Sequence, residues 1–356
     1  MATENFNFQI IENRTKIVPV LKETKMTGKK WVGYGEKNDF PSYLFDLYLR
    51  STVLQSIIEG VIDYTVGAGI TSSLNNEVNT DGDTIEDLIK QILVDYMVTG
   101  GFAINVLRDA ENRVSELYWV DMRNVRLSED GNTAYYSDNI NGWGVKPDEL
   151  PVFDPDKKQK SSIFYYKGHI SRSLYPIPRW SGAITAVETS TEISNYHLNA
   201  ILNNFSPSAL ISFNNGVPDK ATQENIERKI NKKFTGSNNV NRFILSFAEN
   251  GENATTIQRL DSDKADEKFS TLKESIFEEI FIAFRGSPEL FGMRKEGNGF
   301  NKQEYLESFS LFNKTMIQPI QKDIVRCFDK IYGVKNSIAF NEYKVYNETI
   351  ITEDKN

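Results

Sequence analysis

The sequence predicts an α+β protein in which a small αβ module is inserted between two long helices. Three observations carry that expectation. Apolar residues recur at helical spacing over 51–98 and then switch to alternation over 102–168. Two later segments, 181–205 and 263–284, keep one helical stripe for many turns. Between them lie three short strand-like runs, "SALISF", "RFILSF" and "TTIQRL", separated by polar turns.

Bulk properties bound the answer. At 356 residues the chain is long enough for two or three structural units around a sizeable core. Hydrophobic residues at 39% and charged residues at 25% fit a globular protein, and 22 Phe with 16 Tyr imply large packed surfaces. No apolar run approaches the roughly 20 residues that span a bilayer, and "MATENFNFQIIENRTK" lacks a basic-then-apolar signal pattern. The single cysteine, Cys327, excludes an internal disulfide framework. A formal net charge of −8 argues against coating nucleic acid with the whole surface, which needs many Lys/Arg–phosphate contacts.

Pro41 suits the first turn of a short helix, where its missing N–H is not needed. Leu54, Ile57, Ile58 and Val61 share a helical face that "GAG" ends at 67–69. A helix over 84–98 starts with Asp83 three residues before Glu86, a capping pattern, and stops at Gly100–Gly101. "FAINVLRD", "RVSELYWV", "NVRLSEDGNTAYY" and "SIFYYKG" read as strands with turns at 109–112 and 130–131. The polar stretch 137–160, "SDNINGWGVKPDELPVFDPDKKQK", reads as an exposed excursion. Residues 1–178 thus form one α+β domain.

After Pro178, Ile184, Val187, Thr191, Ser194, Leu198, Ile201 and Phe205 are spaced 3, 4, 3, 4, 3 and 4 apart, a heptad-like stripe. The stripe mixes polar and apolar residues, which suits packing against neighbours better than deep burial. Residues 206–260 are the inserted module, with a basic-ended helix over 219–234. In 263–284, Phe269, Leu272, Ile276, Ile280 and Phe284 form an apolar stripe while Glu267, Glu274 and Glu278 line another face. Next comes "RGSPELFGMRKEGNGFN" (285–301), glycine-punctuated and basic. A long helix over 301–332 follows, with a kink expected at Pro319, and a strand lies in the tail.

Catalytic constellations are scarce. His169 and His197 lack partners at useful spacing and read as structural or surface residues, and Cys327 reads as core. No GxxxxGK[ST] or HExxH pattern occurs, so no cofactor, metal site or catalytic residue is expected. The clusters "DPDKKQK", "DSDKADE" and "EEIF" read as solvated faces, and their alternative is a metal-dependent DNA-processing enzyme. For Glu267, Glu274 and Glu278 a further reading is an acidic wall that repels phosphates. Residues 285–301 are either a linker or a basic tip that touches a polyanion through Arg294 and Lys295; composition leaves both open.

The order of parts resembles the portal proteins of tailed bacteriophages. "YPIPRWSGAITAVETSTEISNYHLNAILNNFSPSALISF" is similar to that family's proline-led stem helix running into its clip. "KESIFEEIFIAFRGSPELFGM…GFNKQEYLESFSLFNKTMIQPIQ" is similar to its returning stem helix, tunnel loop and long wing helix, and "GYGEKNDFPSYLFDLYLRSTVLQSIIEGVIDYTVGAGI" to the start of many portal wings. The resemblance implies a wing at 1–178, stem helices at 179–205 and 261–284, and a clip at 206–260. It places a tunnel loop at 285–301 and the long wing helix with a C-terminal strand at 302–356. It implies a non-enzymatic ring, typically of twelve subunits, at one capsid vertex, conducting double-stranded DNA without reading sequence. The partners implied are terminase, the major capsid protein and a head–tail connector, with no membrane; the location is the virion, and the host cytoplasm during assembly. By the same resemblance Arg294, Lys295, Asn298 and Asn301 contact DNA, Glu267, Glu274 and Glu278 line the channel, and Arg228, Lys229, Lys232 and Lys233 dock the partner at the clip. Only about 24 residues follow Tyr332, so the family's helical crown is expected to be absent or minimal. A shorter head–tail adaptor is the remaining structural alternative.

Overall fold

The computed structural model describes residues 21–72, 77–168, 173–202, 209–213, 235–236, 239–240, 243–247, 256–259, 265–292 and 302–342, with single positions 222 and 225. It divides into two compact units: 1–46, 64–178 and 321–356 make the first, and 47–63 with 179–320 make the second.

The first unit is built on an antiparallel sheet, β5 (Val114–Val120), β4 (Gly101–Arg108) and β9 (Ser161–Lys167), in that order. Ile104 faces Trp119 on one side and Phe164 on the other. Central β4 is covered on both faces, so Phe102, Ala103, Ile104 and Val106 are all buried and its sequence runs apolar with little alternation. Helix α3 (Ile85–Thr99) packs on β4 through an apolar face that includes Leu88, Ile89, Ile92 and Tyr96. It ends at Gly100, whose φ of 89° is left-handed; a Cβ there would lie 2.3 Å from the Ile177 carbonyl oxygen. Only glycine fits that approach.

The N-terminal cap of α3 differs by one residue from the expected one. Thr84, not Asp83, is the cap: its hydroxyl accepts from the Asp87 N–H, and the Asp87 carboxylate accepts from the Thr84 N–H at 3.0 Å. Asp83 is taken by Asn79, whose Nδ2 donates to it at 2.9 Å, and Glu86 pairs with Lys90. The polar excursion also holds more order than its composition suggests. β6 (Val125–Leu127), β7 (Thr133–Tyr136) and β8 (Asp148–Pro151) form an antiparallel meander. "DELP" carries no strand signature because β8 is a solvent-exposed edge, where charge and proline are tolerated.

Two small pairings complete the first unit. β1 (Glu23–Lys25) pairs with β2 (Val32–Tyr34), and β3 (Ile70–Ser72) pairs with β15 (Ile338–Phe340). Helix α7 (Gln318–Tyr332) adds buried Ile324, Cys327, Phe328 and Ile331, and Lys330 Nζ lies over the Phe164 ring at 5.9 Å. Burial pushes the Cys327 thiol up to about 12, which suits a core residue and not a nucleophile.

The second unit is organised by two helices, α4 (Ile184–Leu202) and α5 (Ala265–Ala283), which pack on each other. Helix α5 also packs on the 3-10 turn Ser181–Ala183 that leads into α4, so the pair is antiparallel. The intervening chain supplies a three-stranded sheet with β10 (Ala209–Phe213) central, parallel to β13 (Phe243–Phe247) and antiparallel to β14 (Thr256–Arg259). The three strand-like runs are thus strands of one sheet, and the parallel pair requires a crossover. Positions 222 and 225 are helical; the rest of the helix expected at 219–234 lies outside the described residues. A small hairpin joins β11 (Thr235–Gly236) to β12 (Asn239–Val240).

Helix α6 (Lys302–Phe312) continues through a π-helical turn, Asn313–Ile317, into α7. A kink was expected at Pro319; the irregularity instead precedes it. Pro319 has no N–H for the Thr315 carbonyl, and the chain accommodates that with a widened turn in which the Gln318 N–H reaches the Asn313 carbonyl. Helices α1 (Phe40–Arg50) and α2 (Thr52–Val66) each contribute residues to both units.

Candidate functional site

The segment after α5 is where a functional surface was expected, and its first eight residues are built rather than loose. The helix ends when Gly286 donates to the Phe281 carbonyl at 3.2 Å and Arg285 turns to a φ of 53°. Pro288 then opens a 3-10 turn, Pro288–Phe291, closed by Gly292 at a φ of 79°. Phe291 wedges this knuckle in place. Its ring lies 5.7 Å from that of Phe281 and meets Phe312 edge-on at 5.8 Å. It also touches Gly60 on α2 so closely that a Cβ there would be 2.8 Å from the ring. A glycine-rich composition hid this clamp; the signal that could have exposed it is "PELF", a proline start with two apolar anchors. The expected loop 285–301 thus opens on an ordered turn over 285–292, and its remainder, 293–301, lies outside the described residues.

Beyond Gly292, Arg294, Lys295, Asn298 and Asn301 lie outside the described residues, as do Arg228, Lys229, Lys232 and Lys233 of the inserted module. His169 also falls there. His197 sits on α4.

The acidic face of α5 is partly described. Glu274 and Glu278 are exposed, as is neighbouring Glu279, while Ile276, Ile280, Phe281 and Phe284 are buried. Glu267 lies on the same helix, its side chain outside the described residues. Three carboxylates at 274, 278 and 279 on one exposed face give a negative strip, and Arg285 at the helix C-terminus is favourably placed against the helix dipole.

Burial along the α4/α5 pair is graded. Near the start of α4, Ala186, Val187, Ser190, Thr191 and Ile193 are buried; farther along, Ser194 is exposed and Leu198 is 55% exposed. On α5 the gradient is mirrored: Thr271 to Ser275 are exposed, with Leu272 at 43%, before burial sets in at Ile276. Of the stripe read from sequence on α4, Val187 and Thr191 face inward while Ser194 and Leu198 do not. Ile282 at 74% and Leu311 at 66% are further bare apolar side chains of this unit.

Among the described residues no three His, Cys, Asp or Glu side chains are placed to hold a metal ion. Asp154 of the "DPDKKQK" cluster pairs with Lys157 at 3.1 Å. No described helix is long and apolar enough to cross a membrane. What the geometry offers is an antiparallel helix pair with a bare, apolar-spotted far end, an acidic strip, and a clamped knuckle that launches a basic glycine-rich segment.

Known proteins are similar to this chain. The family model described as phage portal protein matches residues 69–350. An uncharacterised protein of Rickettsia bellii is 24% identical over 243 residues, which cover 66% of this chain and 60% of the relative, so the match spans under two thirds of that protein's length. Among solved structures, a chain in the virion of a native gene transfer agent particle matches with a TM-score of 0.55 at 16% identity, covering 83% of this chain and 82% of the other. A chain in the neck of the native gene transfer agent particle, computed with C12 symmetry, matches at 0.55 with 15% identity and the same coverage. A HK97 family phage portal protein from Corynebacterium diphtheriae matches at 0.51 with 10% identity, covering 82% and 90%.

Proposed function

This chain belongs to the phage portal protein family, a structural family, and from that premise we propose that it is one subunit of a ring-shaped channel through which double-stranded DNA enters and leaves a virion. The observation that carries the reading is the α4/α5 pair. Its far half leaves Leu198 and Leu272 bare, a pattern unsuited to a finished monomer and suited to helices that neighbouring copies cover. The C12 symmetry of the similar neck structure supports a ring of twelve.

In this reading 1–178 is the wing, α4 and α5 lie in the stems at 179–205 and 261–284, and 206–260 is the clip. The tunnel loop is 285–301, and 302–356 is the long wing helix with its C-terminal strand. The Phe291 knuckle fixes the base from which the loop projects. Arg294, Lys295, Asn298 and Asn301 then meet phosphates repeatedly around the ring without reading bases. The strip Glu267, Glu274 and Glu278 faces the channel, where like charge keeps DNA from sticking. Arg228, Lys229, Lys232 and Lys233 dock terminase and later the head–tail connector, and the wing meets the major capsid protein.

Negative-stain electron microscopy of the purified protein tests the ring. Rings with a central hole support it and count the subunits; small dispersed particles at every concentration overturn it. Replacing Lys229, Lys232 and Lys233 by Glu is expected to leave rings intact and stop DNA packaging. Undiminished packaging removes the clip assignment.

A further inference from the structure

Trp143, in the stretch "NGWG" of the first unit, is 101% exposed. An indole this bare is usually mobile, yet the turn beneath it is pinned at several points. Ile140 is buried in a cluster with Trp31 and Tyr135. Asn141 exchanges two amide hydrogen bonds with Asn38: Asn38 Nδ2 donates to its Oδ1 at 2.5 Å, and its own Nδ2 donates to the Asn38 carbonyl at 3.2 Å. Gly142 closes the turn on the Asn139 carbonyl at 2.8 Å.

The support reaches into the core. Asn38 sits at a φ of 61°, and Arg126 holds it by donating to both its side-chain and its backbone oxygen. Arg126 is fully buried, and its hydrogen bonds go to amide and carbonyl oxygens only, with the Tyr34 ring 5.8 Å away. Burying a cation without a salt bridge is expensive. Here that cost fixes the posture of a surface turn whose only large feature is an exposed indole.

The surrounding charge narrows the partner. Asp138 and Asp148, which flank Trp143 in sequence, are exposed, as is Lys146, and Glu149 is already paired with Lys30 at 3.0 Å. An acidic rim disfavours phosphate, and with it nucleic acid and anionic lipid. Strand β8 leads directly from this turn to the loop 152–160, where Lys158 and Lys160 are exposed and make no ion pair among the described residues. Four residues of strand separate the two loops by roughly 13 Å. One short strand therefore carries an aromatic tip flanked by Asp138 and Asp148 at its start and, at its end, a loop in which exposed Lys158 and Lys160 outnumber the one carboxylate outside the Asp154–Lys157 pair, Asp156.

We propose that Trp143 docks on the Lys158–Lys160 loop of the next copy of this chain, with a lysine ammonium over the indole face and Asp138 and Asp148 against the remaining charge. A ring needs two different patches that fit head to tail, and these two are complementary in charge and in cation–π chemistry. The inference rests on the ring reading but adds a contact in the wing to any made by the stem helices.

Cross-linking tests it. The one native cysteine, Cys327, is buried, so Asp138→Cys combined with Lys158→Cys places the accessible thiols. Oxidation of assembled rings is expected to give a ladder of covalent oligomers on a non-reducing gel, absent from either single variant. Rings visible by microscopy without a ladder overturn the contact while leaving the ring reading intact; wild-type protein that never forms rings overturns both. In parallel, Lys158→Glu with Lys160→Glu is expected to lower ring yield at least tenfold with unchanged circular dichroism. Adding Asp138→Lys and Asp148→Lys is expected to restore it. Failure of that restoration in folded protein also overturns the proposal.

Discussion

The two units treat their apolar side chains in opposite ways. The first consumes them: β4 is buried on both faces, α3 covers it, and Phe102 stacks on Tyr166 at 4.9 Å and meets Tyr96 edge-on at 6.4 Å. The second buries part of them, Ile280, Phe284 and Phe312 included, and leaves more of them out. Of eight large hydrophobic side chains exposed among the described residues, five belong to it: Leu49, Leu198, Leu272, Ile282 and Leu311. The same chain thus carries one core complete in a single copy and one set of helices with bare apolar side chains, which neighbouring copies would cover in the proposed ring. Substitutions in the first should cost folding, and those in the second should cost assembly.

The largest effect on the folding side is expected from Phe102→Ala. Removing a fully buried ring from between Phe164, Tyr166 and Tyr96 leaves a cavity in the middle of the sheet, at about 3–5 kcal/mol. Urea unfolding of the isolated subunit reads this directly. A loss below about 1 kcal/mol would mean that the sheet is not the unit's core.

Ile282→Ser breaks the comparison from the other side. At 74% exposed, Ile282 contributes little within one copy, so stability of the isolated subunit should move by less than about 0.5 kcal/mol. Ring yield, measured by mass photometry, is expected to fall several-fold. A variant that unfolds yet assembles normally would reverse the roles assigned to the two regions.

What the sequence made legible follows the same division. The change of period at 102 and the three runs in 206–260 announced their strands because β-branched and aromatic residues pack on pleated surfaces. Strand β8 was illegible because an edge strand in "DELP" answers to its neighbour β7 and not to its own composition. The Thr84 cap was misread by one position since Asp83, an equally good cap by type, is held by Asn79. At Phe291 the local pattern "PELF" signals an anchored turn, but what the ring packs on, Gly60 and Phe312 above all, is set by residues distant in sequence. The α4 stripe, expected to avoid deep burial, is buried at Val187 and Thr191 and exposed at Ser194 and Leu198, and the place where burial stops depends on what α5 covers.

The first unit is not purely apolar inside, and Asp95 sharpens the comparison by the smallest expected change. This α3 side chain is fully buried; its Oδ2 accepts from Trp119 Nε1 at 2.8 Å and from the Met122 N–H at 3.3 Å, while Oδ1 has no partner. Burial pushes its carboxyl well above the ordinary carboxylate range and nearby Asp121 adds to that, outweighing the two hydrogen bonds and Arg123. In the unfolded chain the group ionises near its ordinary value, so above that pH the folded state holds the extra proton. Stability therefore falls as pH rises from about 4 toward the folded value. Asp95→Asn keeps an oxygen for Trp119 and Met122 and removes the titration. The variant's gain over wild type should be near zero at pH 4 and grow toward neutrality, as read from urea midpoints across that range. A gain that shrinks with rising pH would show that Asp95 is held as a stabilised anion, and that the charge of Arg123 outweighs burial in this core.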